Sequence, residues 1–102
     1  MANYGFHPDA LLGYAEATTY YVQKRPGSVA EEFVAAVESA VRSIVEAPDR
    51  WRVVEEPGIR RHVFRRFPYV LYYRWNPEEN FVTIFAIMHC SREPGYWKSR
   101  VT

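Results

Sequence analysis

The chain has one cysteine, Cys90, so it holds no internal disulfide framework and no clustered-cysteine metal site. Lysine is scarce, limited to Lys24 and Lys98. No apolar run reaches the roughly 18 residues of a membrane-spanning helix. The opening MANYGFHPDALL lacks the charged start and long apolar run of a secretory signal, which points to the cytoplasm. No Walker loop or dinucleotide fingerprint is present. His7, His62 and His89 lie far apart, without the short spacing of a zinc site. No cofactor and no metal are therefore expected.

What is present suits a single globular domain over residues 1–102. Apolar residues make up 48% and charged residues 25%, and the aromatic share of 17% is high. Net charge is only +1, but it is unevenly spread. Residues 1–57 carry five Lys/Arg against nine Asp/Glu, a net of −4. Residues 58–102 carry eight against three, a net of +5. Two oppositely charged halves in one small domain imply two working faces, the basic one suited to a polyanion or an acidic partner.

Periodicity predicts two helices and then strands. Tyr4-Gly5-Phe6 reads as a short edge strand, and His7-Pro8-Asp9 as a helix start with proline in the first turn. Leu11, Leu12, Ala15, Thr19 and Val22 recur at helical spacing until Arg25-Pro26-Gly27 breaks the pattern. Ser28-Val29-Ala30-Glu31 is a capping-box pattern. Val29, Phe33, Val37, Ala40, Val41, Ile44 and Val45 then form an apolar stripe that Pro48 ends. The short break between the helices predicts an antiparallel hairpin.

Beyond Gly58 the pattern turns strand-like, over 59–66, 69–75 and 81–88, with Trp51 to Val54 a further short strand. Residues 81–88 are apolar on both alternations, as a central strand covered on both faces would be. The expected fold is α+β: an N-terminal antiparallel helical hairpin packed on one face of a three- to four-stranded antiparallel sheet.

The segment 59–75, IRRHVFRRFPYVLYYRW, holds Arg60, Arg61, Arg65, Arg66 and Arg74 and no acid. If it is one strand, Arg60, His62 and Arg66 share a face and Arg61 and Arg65 the other. Such arginines can grip phosphates, dock an acidic partner, or guard a sheet edge against aggregation. The sheet face away from the helices would expose some of Val70, Tyr72, Tyr73, Trp75, Phe85 and Ile87, unless the C-terminal tail covers it. Arg60, Arg61, Arg65, Arg66, Arg74, Tyr72, Tyr73 and Trp75 are accordingly the candidate binding residues.

The stretch HCSREPGYW, residues 89–97, has two readings. His89 as acid or base, Arg92 on phosphate and Tyr96 as donor or stacking ring would make a metal-free ribonuclease site. The favoured reading is structural: Tyr96 and Trp97 fold back after a Pro-Gly turn and latch the sheet. Cys90 is no nucleophile for His89, since adjacent strand residues point to opposite faces.

Several residues in order carry a family likeness: Phe6-His7-Pro8 with Ala10, Tyr20-Tyr21, Phe33, Ile59-Arg60-Arg61, Arg66-Phe67-Pro68-Tyr69, Tyr73, then His89, Arg92, Pro94, Tyr96-Trp97 and Arg100. In this order the chain resembles the RelE/ParE superfamily of toxins from bacterial type II toxin–antitoxin modules, often labelled plasmid stabilisation proteins. The resemblance implies a small cytoplasmic growth inhibitor neutralised by a cognate antitoxin, with promoter DNA reached only through that antitoxin. RelE-like members cleave mRNA on the ribosome, and ParE-like members with a known target inhibit DNA gyrase without obvious catalytic groups. Near-neutral charge and the lack of lysines in the strands favour the ParE-like side and a non-catalytic contact. The ribosome-dependent ribonuclease using His89, Arg92 and Tyr96, and a degenerate non-toxic member, are the alternatives.

Overall fold

A computed structural model describes residues 1–25 and 27–91. Helix α1 spans Pro8–Lys24 and helix α2 spans Val29–Glu46. His7 caps α1, its Nδ1 accepting the Asp9 N–H at 3.1 Å, with proline in the first turn. Ser28 makes no side-chain cap on α2, so the expected capping box does not form. Glu31 and Glu32 in the first turn of α2 supply the favourable negative charge there instead.

The sheet has strands β1 (Asn3–Phe6), β2 (Val53–Glu55), β3 (Ile59–Val63), β4 (Tyr69–Asn76) and β5 (Phe81–His89). Their order is β1-β5-β4-β3-β2, with β1 parallel to β5 and the other pairs antiparallel. The two short segments 3–6 and 53–55 thus widen the expected sheet to five strands and make it mixed. β5 lies inside the sheet and is buried on both faces, as its continuous apolar run implies.

α2 buries the stripe read from its sequence: Phe33, Val37, Ala40, Val41, Ile44 and Val45. α1 does not. Its buried residues are Ala10, Ala17 and Tyr21, while Leu11, Leu12 and Val22 stay 51%, 58% and 66% exposed. The reason is closeness. A Cβ on Gly13 would sit 2.9 Å from the Ile87 carbonyl oxygen, so only the face built from Ala10, Gly13 and Ala17 can settle on β5. Tyr14 and Tyr21 on that face then reach the ring of Phe33.

A bulge divides the two faces of β5. Tyr72 pairs with Ala86 and Tyr73 with Ile84, which leaves Phe85 as the extra residue. Val82, Ile84 and Ile87 join the core beneath the helices, whereas Phe85, Ala86 and Met88 join Ile59 and Val70 in a second cluster on the far face. The expected exposed patch is therefore corrected. Tyr73, Trp75 and Ile87 belong to the helix side, and Val70 and Phe85 are buried on the far side. Whether the C-terminal tail latches the sheet lies outside the described residues.

Gly13→Ala tests the close approach of α1. Helix propensity alone favours alanine by about 1 kcal/mol. The contact with the Ile87 carbonyl should reverse that sign, and a net loss of about 1–3 kcal/mol is expected in urea unfolding.

Candidate functional site

The arginines of β3 and its following loop fall into three groups. Arg60 and His62 point to the helix side. The Arg60 guanidinium donates to the backbone carbonyls of Trp51 and, at 3.3 Å, Asp49. Its Nε is buried without a partner. Across from Arg60 in register, Tyr73 is fully buried and donates its hydroxyl to the Pro48 carbonyl at 2.8 Å. Burial is the main force pushing the Tyr73 phenol up to about 12. Arg60 and Tyr73 thus tie the segment after α2 to the sheet, and neither offers its polar group to a ligand. Trp75 is half-buried against the same core.

His62 sits between the edges of Trp51 and Phe64, at ring centroid distances of 5.5 and 5.1 Å. Its Nδ1 is buried without a partner, and burial holds the imidazole below its ordinary value of 6.5.

The second group is Arg65 and Arg66. β3 ends at Val63, so they lie in the loop that follows and do not continue the strand's alternation as expected. Phe64 and Phe67 bury themselves at the ends of the Phe-Arg-Arg-Phe stretch and leave both arginines exposed. Arg66 meets Glu32 of α2 at 3.3 Å and lies over the Phe67 ring at 5.8 Å. Both partners of the ion pair are well exposed, so it contributes little to stability.

The third group faces away from the helices. Arg61 pairs in register with Tyr72, and Arg74 with Ile59. Arg61, Tyr72 and Arg74 alternate onto the far face, around the apolar cluster of Ile59, Val70, Phe85, Ala86 and Met88. The cluster itself is apolar, and Glu55, paired in register with Ile59, is the acid that β2 brings to the edge of that face.

His89 ends β5 on the helix side, edge-on to Tyr69 at 5.3 Å. Its Nδ1 accepts the Ser91 N–H at 3.1 Å and lies 2.8 Å from the Ser91 hydroxyl. Nδ1 is thus engaged with Ser91, which leaves Nε2 for an outside partner. Arg92 and Tyr96 lie outside the described residues, so the proposed triad is represented here by His89 alone. Beside His89, two adjoining clefts open between α1 and the ends of β4 and β5, sharing Tyr20, Tyr69 and His89. Arg25 and Arg66 line the second cleft. Sequence reasoning missed Tyr20 and Arg25 as site residues, because nothing in their spacing shows that the hairpin turn meets the 64–68 loop.

Among the described residues, no group of three or more His, Cys, Asp or Glu is placed to hold a metal ion. Nor is any described helix long and apolar enough to cross a membrane.

A hairpin of two helices on a five-stranded mixed sheet, with arginines on the far face and the connecting loop, defines a small α+β domain with a basic face. The model of the ParE toxin of type II toxin–antitoxin systems, parDE, matches residues 4–94, and the chain belongs to that family. Solved structures agree on the fold. The chain is similar to a chain of the chromosomal ParDE system of P. aeruginosa, at 19% identity and a TM-score of 0.73, over 87% of this chain and 96% of that one. It is also similar to a mutant of the E. coli toxin RelE in the free state, at 17% identity and a TM-score of 0.70, over 100% of both chains. A chain of the RelBE2 toxin–antitoxin complex of Mycobacterium tuberculosis matches at 22% identity and a TM-score of 0.60, over 86% of this chain and 96% of that one. No curated protein sequence matches this chain closely enough to add to these.

The half-buried His62 makes stability depend on pH. Because folding lowers the His62 pKa, the unfolded chain binds more protons just below the ordinary value. Its contribution is complete above about 6.5 and declines as pH falls from there toward the folded value. The urea midpoint should drop between about pH 7.5 and about pH 5.5. The drop should be smaller in His62→Phe, which keeps the ring and removes the titration.

Proposed function

We propose that this ParE-family toxin is neutralised by a cognate antitoxin in the cytoplasm and inhibits growth by a non-catalytic contact with a macromolecular target, with DNA gyrase the candidate. One observation carries the reading. The far face of the sheet sets Arg61, Tyr72 and Arg74 around a buried apolar centre, with Glu55 at its β2 edge. Such a face suits recognition better than bond cleavage. The similar chains from ParDE and RelBE systems support a cognate antitoxin.

In this reading an acidic, amphipathic antitoxin segment lies along Arg61, Arg65, Arg66, Arg74 and Tyr72, and orders as it binds. Promoter DNA is reached only through the antitoxin. The ribosome-dependent ribonuclease remains a second reading because His89 lines a cleft with Arg25 and Arg66, a pairing of imidazole and cations that suits a phosphodiester.

Induced expression with two readouts separates the readings. A gyrase contact predicts an SOS response and filamentous cells while translation at first continues. A nuclease predicts rapid loss of protein synthesis and mRNA cut at ribosomal sites. Under the proposal, His89→Ala keeps its toxicity. Loss of toxicity in a folded His89→Ala protein would hand the function to the nuclease reading.

The antitoxin dock has its own test. Reversing charge in Arg61→Glu with Arg74→Glu should weaken antitoxin binding by about 2 kcal/mol or more and flatten its salt dependence. Unchanged affinity in the folded double variant would exclude this face.

A further inference from the structure

The two edges of the sheet differ in charge and in regularity. β2 is three residues long, has an irregular register between Val53 and Glu55, and is flanked by Arg52, Glu56 and Pro57. Short length, irregularity, charge and proline are the devices that stop an edge from pairing. β1 is also short, at four residues, and Pro8 follows two positions after Phe6, but its register is regular and it carries no charge. Its sequence is Asn3-Tyr4-Gly5-Phe6, and the first charged side chain after it is Asp9.

The hydrogen bonds say which groups remain open. Asn3 N–H donates to Asn80 at 3.0 Å and His7 N–H to Ile84 at 2.8 Å, both toward the β5 side. By alternation Gly5 also faces β5, so the N–H and C=O of Tyr4 and Phe6 point outward. Among the described residues no strand lies beyond β1.

We propose that this edge pairs, antiparallel, with β1 of a second copy of the chain, across a twofold axis at Gly5. Tyr-Gly-Phe reads nearly the same in both directions. In that register Tyr4 and the partner copy's Phe6 exchange backbone hydrogen bonds, and the two Gly5 residues form the close non-bonded pair, with Cα atoms about 4.5 Å apart. No side chain has to fit between them. Packing within the chain does not by itself require glycine there. An added Cβ would meet only the tip of the Phe81 ring, at 3.1 Å, and Phe81 is partly exposed.

The side chains favour the same arrangement. Tyr4 and Phe6 stand edge to face at 6.1 Å, and Tyr4 is 50% exposed. They line an apolar groove with Tyr14, Val34 and Val41. The dyad brings both aromatic pairs together along this groove, and cross-strand aromatic pairs add to strand pairing. Glu38 and Arg42 line the groove with one charge of each sign, so two copies meet without net repulsion. The interface is small, as in weak, transient dimers.

Sedimentation equilibrium on the purified full chain, from low to high micromolar concentration, tests this. The expected result is a concentration-dependent dimer, with slowed amide exchange at Tyr4 and Phe6 at high concentration. Tyr4→Lys, which places like charges beside the axis, should raise the dissociation constant about tenfold or more with little change in the unfolding midpoint. Should Tyr4→Lys fail to fold, the amide exchange of the wild type decides alone. A wild-type protein that stays monomeric throughout, or a dimer with Tyr4 and Phe6 amides unprotected, overturns the proposal. So does a monomer in which Tyr4→Lys weakens antitoxin binding, since the edge would then serve the antitoxin.

Discussion

Phe33 is the side chain on which both layers close. It is fully buried, and its ring meets Tyr14 and Tyr21 of α1, Phe64 and Phe67 of the loop after β3, and Tyr69 of β4. Aromatic rings bury large areas with few rotatable bonds, so one such hub can fix several elements at low entropic cost. The display of charge depends on it. Phe64 and Phe67 reach Phe33 from either side of Arg65 and Arg66, and burying the two rings forces the two guanidiniums outward. The basic loop is the outer surface of an aromatic core.

The same geometry explains which parts of the fold were legible. α2 has one wide apolar stripe and buries it, so its periodicity was a sufficient guide. α1 has two candidate faces. The larger aliphatic residues Leu11, Leu12 and Val22 lose to Ala10, Gly13 and Ala17, because β5 approaches so closely that a methyl group at Gly13 would strike the Ile87 carbonyl. Close packing decided between them, and hydropathy does not encode distance. In β5 the alternating pattern fails at one point, where the bulge turns Phe85 and Ala86 to the same face. A sequence of continuous apolar residues has no local mark for such a slip, so the division of aromatics between the two faces could not be read from it.

The arginines show how composition misleads at the level of the single residue. The basic character of residues 59–75 was plain, and exposure of Arg61, Arg65, Arg66 and Arg74 agrees with it. Arg60 stands among them in sequence but spends its donors on the carbonyls of Asp49 and Trp51. Tyr73 does the same with Pro48. The segment between α2 and β2 has backbone carbonyls that need donors, and the nearest strand supplies them. Alternation along β3 identifies the face Arg60 takes but not the carbonyls waiting there.

Charge is unevenly spread over the two layers. The outer surfaces of the helices carry Asp9, Glu16, Glu31, Glu38 and Glu46, with Arg42 the one base between Val29 and Glu46. The far face and the loop carry Arg61, Arg65, Arg66 and Arg74. At physiological salt, exposed charges act over about 8 Å, less than the thickness of a helix stacked on a sheet. The arginines of the far face and the loop therefore present positive charge locally, with Glu55 the acid among them, although the whole chain is nearly neutral. On the proposed reading a partner met at the basic layer is selected for acidity, and Tyr72, half-buried between Arg61 and Arg74, offers it an apolar contact. Electrostatics of this kind speeds encounter and sets orientation, while residence time rests on the buried apolar contact. On the proposed reading Arg61, Tyr72 and Arg74 supply both parts from two neighbouring strands.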